Sequence, residues 1–150
     1  MQTAFFGLPS AHYLAYHIPG FCAALYWSSR SAVIGVLLPL VCIGLFLLNP
    51  IGLMSAPYVL FWLIPIVLYW QKDTIFYVAL SSTFIAHAVG SVIWLYTVPT
   101  TSALWLSLIP IVIIERLAFA SGMLLIVKIT QSVRGHTIAR FRYSVVARHN

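Results

Sequence analysis

Residues 103–127 read ALWLSLIPIVIIERLAFASGMLLIV, an apolar stretch interrupted by the charged pair Glu115-Arg116. At about 1.5 Å per residue, an α-helix of this length exceeds the roughly 30 Å of a bilayer's hydrocarbon core. Ionisable side chains cost at least about 2.5 kcal/mol each in hydrocarbon, so this pair is expected to face protein or water. The stretch therefore predicts a membrane-spanning helix that carries a polar site.

The composition of the whole chain supports the same fold class. Of its 150 residues, 62% are hydrophobic and 7% are charged, whereas roughly a quarter are charged in an average soluble domain. So few charged side chains cannot cover a surface that faces water. The sequence predicts an all-α integral membrane protein, and it argues against a soluble enzyme.

Five apolar segments are predicted to form a bundle of about five transmembrane helices within residues 1–127. Polar or proline-containing connections separate them, and the segments cover residues 4–27, 32–48, 51–70, 74–98 and 103–127. The first segment is unusually polar because it contains histidines and prolines. An alternative is therefore that residues 4–27 re-enter the membrane and that four spans remain.

The basic residues indicate the orientation of the bundle. The chain has eight Lys and Arg residues against two Asp and Glu residues, and five of them fall near the C-terminus: Lys128, Arg134, Arg140, Arg142 and Arg148. Arg30 and Lys72 share their side of the membrane if the segments alternate, which makes that side the cytoplasm. Residues 128–150 are expected to form a basic cytoplasmic tail that either binds anionic lipids or is disordered. This location indicates a lipid partner and no nucleic acid, in a multi-pass protein of the cytoplasmic (inner) membrane.

A polar site is expected between the fourth and fifth segments. Helix rise places Glu115 and His87 about 18 and 20 Å from the cytoplasmic end, so a hydrogen bond between them near the midplane is predicted. Ser91 and Trp94 follow His87 at helical spacing and extend the same face. These residues are candidates for binding a ligand.

Arg116 points about 100° away from Glu115 on the helix and needs an acceptor of its own. The carbonyl groups of Phe61 and Leu106 are candidates, because each precedes a proline by four residues and loses its helical partner. An anionic ligand is the other candidate. Alternatively, glutamate, arginine and histidine form a closed network that only locks the helices together. Ala118 and Gly122 are expected to allow close helix packing.

The first segment carries a second set of candidate ligand-binding residues. His12 and Tyr16 are four residues apart, and so are Tyr13 and His17, which creates two polar rows. These rows are expected to line a ligand cavity, to supply haem or metal ligands together with His87, or to be interfacial aromatic residues. No catalytic or metal-binding motif is present in the sequence, so no catalytic residue, metal or cofactor is predicted.

Two short patterns resemble a family of membrane transporters. Ile109-Pro110 leads to Glu115-Arg116-Leu117 in the last segment, and Ala11-x-x-x-Ala15 lies in the first. These patterns are similar to those of the substrate-binding membrane subunits of energy-coupling-factor vitamin transporters. The resemblance implies a binding subunit that requires separate ATPases and a coupling protein for uptake.

The functional hypothesis is a small polytopic transport or ligand-binding protein with a polar site near the midplane, gated partly by the first segment. One alternative is an accessory or assembly subunit of a larger membrane complex, whose buried charges pair with partner helices. The other is a haem- or metal-binding membrane anchor for electron transfer. The expected partners are the bilayer, a small-molecule ligand and other membrane subunits.

Overall fold

The computed structural model describes the backbone of residues 7–71 and 74–146, and the side chains of residues 16–71 and 74–133. Within these ranges the regular structure is helical and contains no strand. A π-helix (Val33–Leu37) precedes the second α-helix, and a 3-10 helix (Ala56–Trp62) precedes the fourth. The α-helices in chain order are α1 (Gly7–Ser29), α2 (Leu38–Leu48), α3 (Pro50–Met54), α4 (Leu63–Tyr69), α5 (Ile75–Thr97), α6 (Ser102–Ser107) and α7 (Ile109–Val146).

Among the described residues, two helices are long and apolar enough to cross a membrane: α5, and α7 as far as Val133. α5 agrees within one residue at each end with the prediction over 74–98. Thr74 and Val98 leave helical geometry at its two ends. The most apolar window of α5 is 61% buried inside the protein, against 11% for that of α7. α5 is therefore a central helix, whereas α7 has a largely uncovered surface.

Hydrogen bonds join α5 to the helices around it. α1 makes its most extensive contacts with α5, and α2, α4 and α7 also pack on that helix. The Ser82 hydroxyl donates to the carbonyl oxygen of Ala23 in α1 at 2.9 Å, and the Tyr96 hydroxyl donates to that of Leu45 in α2 at 2.7 Å. Polar side chains on α5 therefore form hydrogen bonds with α1 and α2, and the other long helices pack around this central helix.

The third predicted segment is not one helix, which corrects the expectation of a continuous helix over 51–70. α3 ends at Met54, and the 3-10 helix and α4 follow it. Pro57 stands near the start of the 3-10 helix, where its missing N–H costs nothing. Gly52 allows α3 to lie close to the end of α2, because a Cβ at this position would collide with the backbone carbonyl of Phe46.

The other segments also differ in detail from their predicted bounds. The first is a continuous α-helix from Gly7 to Ser29, without a reversal of the chain. The second begins as a π-helix, and the fifth is divided at Leu108 into α6 and α7. Pro110 explains that division, because it lacks an N–H and its ring would clash with the preceding helical turn. α7 then continues through the expected boundary at residue 127.

Aromatic side chains form the core at one end of α5. The ring of Phe46 has its centroid 5.1 Å from those of both Trp62 and Trp105, and both pairs meet edge to face. The Tyr58 centroid lies 5.0 Å from that of Trp105. Such edge-to-face pairs stabilise a core beyond their apolar area. This cluster holds the 3-10 helix against α2 and α6 and fixes one wall of the candidate site.

Candidate functional site

The face of α7 that packs against α5 contains Arg116. Val112 and Ala120 on the same face are buried, whereas Ala118 and Gly122 are exposed, and a Cβ added at Gly122 would meet no atom within 4 Å. The expected close packing at Ala118 and Gly122 was therefore wrong. A shift of one residue turns a helix by about 100°, so Arg116 takes the inward position.

Three groups surround the Arg116 guanidinium. Its Nη1 donates to the carbonyl oxygen of Thr83 at 3.3 Å, and its Nη2 lies 2.8 Å from a carboxylate oxygen of Glu115. The guanidinium carbon lies 5.0 Å from the ring centroid of Phe119, within cation–π range. The buried Nε has no hydrogen-bond partner among the described residues. A guanidinium has five N–H donors, so this environment leaves hydrogen-bonding capacity for another acceptor.

The Arg116–Glu115 pair is unequal in burial. The Arg116 side chain is 13% exposed and that of Glu115 is 46% exposed. The acceptor of Arg116 on the neighbouring helix is Thr83, which corrects the expectation that the carbonyl groups of Phe61 or Leu106 accept from it. A carbonyl oxygen has two lone pairs, so one inside α5 can accept a side-chain donor as well as its helical partner.

His87 bonds to Tyr58 instead of Glu115, which corrects the predicted His87–Glu115 hydrogen bond. The Tyr58 hydroxyl lies 2.9 Å from Nε2 of His87 and 3.5 Å from Oγ of Ser91. Glu115 pairs with Arg116 and faces the groove beside α1. Sequence reasoning missed Tyr58, because a uniform α-helical period over 51–70 does not describe the 3-10 turns that place it. Its position directly after Pro57 was the one signal available.

Two cavities adjoin at Arg116. The first, of about 610 Å³, lies between α1, α5 and α7, and Glu115, Phe119 and Ser82 are among its lining residues. The second, of about 420 Å³, lies beside the aromatic core. Ala86 and Arg116 line both cavities. Each volume falls in the range of about 300–1,000 Å³ that is typical of small-molecule sites.

Most of the candidate residues line one of these cavities. Glu115 lines the first, Arg116 lines both, and the second is lined by Tyr16, His87, Ser91 and Trp94. His17 is exposed and lines neither of the two. The side chain of His12 lies outside the described residues, as do those of Ala11 and Ala15 and the tail residues from Arg134 onward. A ligand-binding role for these residues stays a prediction.

α1 contributes to both cavities through one face. Tyr16 and Pro19 line the second cavity, and Gly20, Ala23 and Trp27 line the first. These positions recur at intervals of three and four residues, which places them along one side of a helix. Because Gly20 and Ala23 have small side chains, this face leaves open space in the first cavity, which Arg116 also lines.

The described side chains form no group of three or more His, Cys, Asp and Glu residues that could hold a metal ion. Comparisons with protein-family models, with curated proteins and with solved structures find no match to this chain. The arrangement of the residues therefore carries the functional argument. It combines a largely buried cation, spare hydrogen-bond donors and two adjoining cavities.

Proposed function

We propose that this chain is a small multi-pass membrane protein that binds a small-molecule ligand for transport, at the site where α1, α5 and α7 surround Arg116. The observation that carries the proposal is the position of the guanidinium between two cavities, 13% exposed and with its Nε unpartnered. A buried arginine with unused donors is a good receptor for a carboxylate or a phosphate.

A lipid environment follows from the surface of α7 and from the composition. Large apolar side chains on α7 are widely exposed, with Ile114 at 71% and Ile126 at 66%. A contiguous apolar surface of this kind needs lipid or another protein to cover it. Lipid covers it in the proposal, since 62% of the whole chain is hydrophobic.

Five crossings are part of the proposal, although within the described residues only α5 and α7 have the length and hydropathy of typical spans. α1 has 23 residues and extends about 35 Å at the rise of an α-helix. The 3-10 helix and α4 together extend roughly 25 Å, because a 3-10 helix rises about 2.0 Å per residue. The π-helix with α2 supplies the remaining crossing. In this arrangement the C-terminus lies in the cytoplasm, at an inner membrane.

The proposed partners follow from the resemblance to the substrate-binding subunits of energy-coupling-factor transporters. On that hypothesis, separate ATPases and a coupling protein drive the release of the ligand, and the Ala11-x-x-x-Ala15 pattern on α1 docks the coupling protein. α1 also lines both cavities. A partner that moves α1 would therefore open the site directly. Anionic lipids are the proposed partner of the basic tail.

A ligand screen on the purified protein tests the proposal. The wild-type protein in lipid nanodiscs is heated with vitamins, nucleobases and amino acids in turn, and its midpoint of unfolding is recorded. A ligand present at 100 times its dissociation constant stabilises the folded state by about 2.7 kcal/mol. We expect one class of anionic compounds to raise the midpoint, and Arg116→Gln to abolish that rise.

Lys128→Gln is the matched control for this screen. Lys128 lies on the same helix and carries the same charge, but it is exposed and lines neither cavity. This variant should respond to the ligand as the wild type does. If the wild type and a folded Glu115→Ala/Arg116→Ala double variant respond alike to every compound, Arg116 does not bind the ligand and the proposed site is wrong.

A second candidate function is an accessory subunit of a larger membrane complex, and the uncovered surface of α7 favours it. The most apolar window of α7 is only 11% buried, so a partner helix could pack along it. Size-exclusion chromatography of the chain expressed alone separates the two candidates. A monodisperse, stable protein that binds a ligand supports the first, whereas aggregation relieved by a co-purifying membrane subunit supports the second.

A further inference from the structure

Five of the twelve residues that line the second cavity have aromatic rings. Tyr16, Tyr58, Trp94 and Trp105 line it together with His87. The ring centroid of Tyr58 lies 5.0 Å from that of Trp105 and 5.6 Å from that of His87. Flat π-surfaces at several orientations favour either a cation held over the ring faces or an aromatic ring in offset or edge-to-face contact.

The charge of the wall decides between these two kinds of ligand. Among the residues that line the second cavity, Arg116 carries the formal positive charge, whereas Glu115 lines the first cavity only. A cationic ligand in this cavity would meet the guanidinium and not the Glu115 carboxylate, which pairs with Nη2 at 2.8 Å and lines the other cavity, so its binding is disfavoured. The same guanidinium can donate a remaining N–H to a ligand carboxylate, in addition to its contacts with Thr83 and Glu115.

A neutral polar edge lies on the wall beside α5. The Tyr58 hydroxyl bonds to Nε2 of His87, which leaves Nδ1 as a second hydrogen-bonding atom on that ring. Ser91 is next to this pair, with its Oγ 3.5 Å from the Tyr58 hydroxyl. These groups can bond to a ring N–H or a ring nitrogen, so they suit a heteroaromatic ligand better than a purely aliphatic one.

We propose that the second cavity binds a planar heteroaromatic carboxylate, with its carboxylate on Arg116 and its ring among Tyr16, Trp94 and Trp105. The ring N–H or nitrogen faces the Tyr58–His87 pair. The cavity volume of about 420 Å³ accommodates a one- or two-ring acid. This inference rests on the proposed function, because it names the ligand class of the same arginine site.

Three small probes separate the charge of the ligand from its ring. Indole-3-carboxylate has both features, indole-3-carboxamide lacks the charge, and cyclohexanecarboxylate lacks the aromatic ring. Binding of each probe to the wild-type protein in nanodiscs is measured by isothermal titration calorimetry. We expect indole-3-carboxylate to bind at least about tenfold more tightly than either of the other two. Equal binding of the two carboxylates would overturn the proposal.

Two variants test whether Arg116 causes the preference for a carboxylate and whether Trp94 causes the preference for an aromatic ring. Arg116→Gln should remove the preference for the carboxylate over the carboxamide, and Trp94→Leu should reduce the preference for the indole over the cyclohexane ring to less than about threefold. Trp94 is 44% exposed, so this change is compatible with folding. Trp70→Leu is the control, because Trp70 is 73% exposed and lines neither cavity. If Trp94→Leu and Trp70→Leu have the same effect, the ring does not occupy the second cavity.

The outcomes also distinguish this proposal from the proposed function. Suppose that no aromatic preference is found, but a compound from the wider screen binds in a manner that depends on Arg116. The ligand class is then wrong and the arginine site stands. If no probe and no compound from that screen binds to the folded wild-type protein, both proposals are overturned.

Discussion

The Tyr58 hydroxyl and Nε2 of His87 lie 2.9 Å apart, which joins the 3-10 helix to the middle of α5. Tyr58 is fully buried, and the hydroxyl of Ser91 is also within reach of it. Both partners are neutral hydrogen-bonding groups inside an apolar protein, where an unpaired polar atom is costly. The contact therefore stabilises the bundle and orients His87 beside the second cavity.

Removal of the Tyr58 hydroxyl should destabilise the protein without disturbing its core. Tyr58→Phe keeps the ring contacts but leaves His87 without its partner, so we expect the free energy of unfolding to fall by about 1–2 kcal/mol. Denaturant unfolding in detergent micelles measures this loss. Tyr96→Phe is the comparison, because its hydroxyl is exposed and bonds to a helical carbonyl. A larger loss for Tyr96→Phe would contradict the importance of the buried contact.

Two glycines in neighbouring helices should respond oppositely to alanine. A Cβ at Gly52 would collide with the carbonyl of Phe46, whereas a Cβ at Gly44 would meet no atom within 4 Å. We expect Gly52→Ala to lower the free energy of unfolding by about 1–3 kcal/mol. Gly44→Ala should raise it by up to about 1 kcal/mol, because alanine favours the helix. Thermal unfolding followed by circular dichroism provides the comparison.

Arg116 and Glu115 should show a measurable but modest interaction energy. The carboxylate of Glu115 is 46% exposed, so solvent weakens the pair and we expect a coupling of about 0.5–1 kcal/mol. A double-mutant cycle of Glu115→Gln, Arg116→Gln and the combined variant measures that coupling from unfolding in micelles. Zero coupling would mean that the two side chains do not pair in the folded protein.

The hydrogen bond between α1 and α5 should contribute to their association. Ser82→Ala removes the donor to the Ala23 carbonyl, and interhelical bonds of this type in membranes average about 0.6 kcal/mol, with a maximum near 1.7. Ser107→Ala is the control, since the Ser107 hydroxyl bonds to Leu104 within the same segment. Unfolding measurements should show a smaller loss for Ser107→Ala. The reverse order would place α1 differently on α5.

The proposed orientation predicts the behaviour of C-terminal fusions. A green fluorescent protein fused after Asn150 should fluoresce in bacterial cells, because the positive-inside rule places the basic end in the cytoplasm. An alkaline phosphatase fused at the same position should be inactive, since it requires export. An active phosphatase together with a dark fluorescent protein would reverse the topology.

The sequence predicts α5 within one residue because a stretch without charged residues or proline lies between Lys72-Asp73 and Pro99. The face of α7 that packs against α5 could not be predicted in the same way. Apolar residues surround α7 on all sides, so hydrophobic periodicity does not distinguish its inward face. Arg116, and not Glu115, faces α5 because its side chain reaches an acceptor there. That contact depends on how the two helices pack, which the sequence of α7 does not specify.

The third segment shows a second limit of prediction from sequence. The segment over 51–70 was predicted as one span although it contains Pro57 and Pro65, and proline alone does not specify a 3-10 helix over Ala56–Trp62. The aromatic cluster around Phe46 stabilises that local structure through contacts distant in sequence. His87 lines the second cavity, but its contact with Tyr58 depends on the geometry of the 3-10 helix.

The 3-10 helix also limits how the length of this chain can vary. A 3-10 helix completes a turn in three residues, so the insertion or loss of one residue there would rotate the rest of that helix by about 120°. Tyr58 would then leave His87, and Trp62 would leave the ring of Phe46. Length changes among descendants of this sequence should therefore fall in the exposed turns between helices and spare residues 56–62.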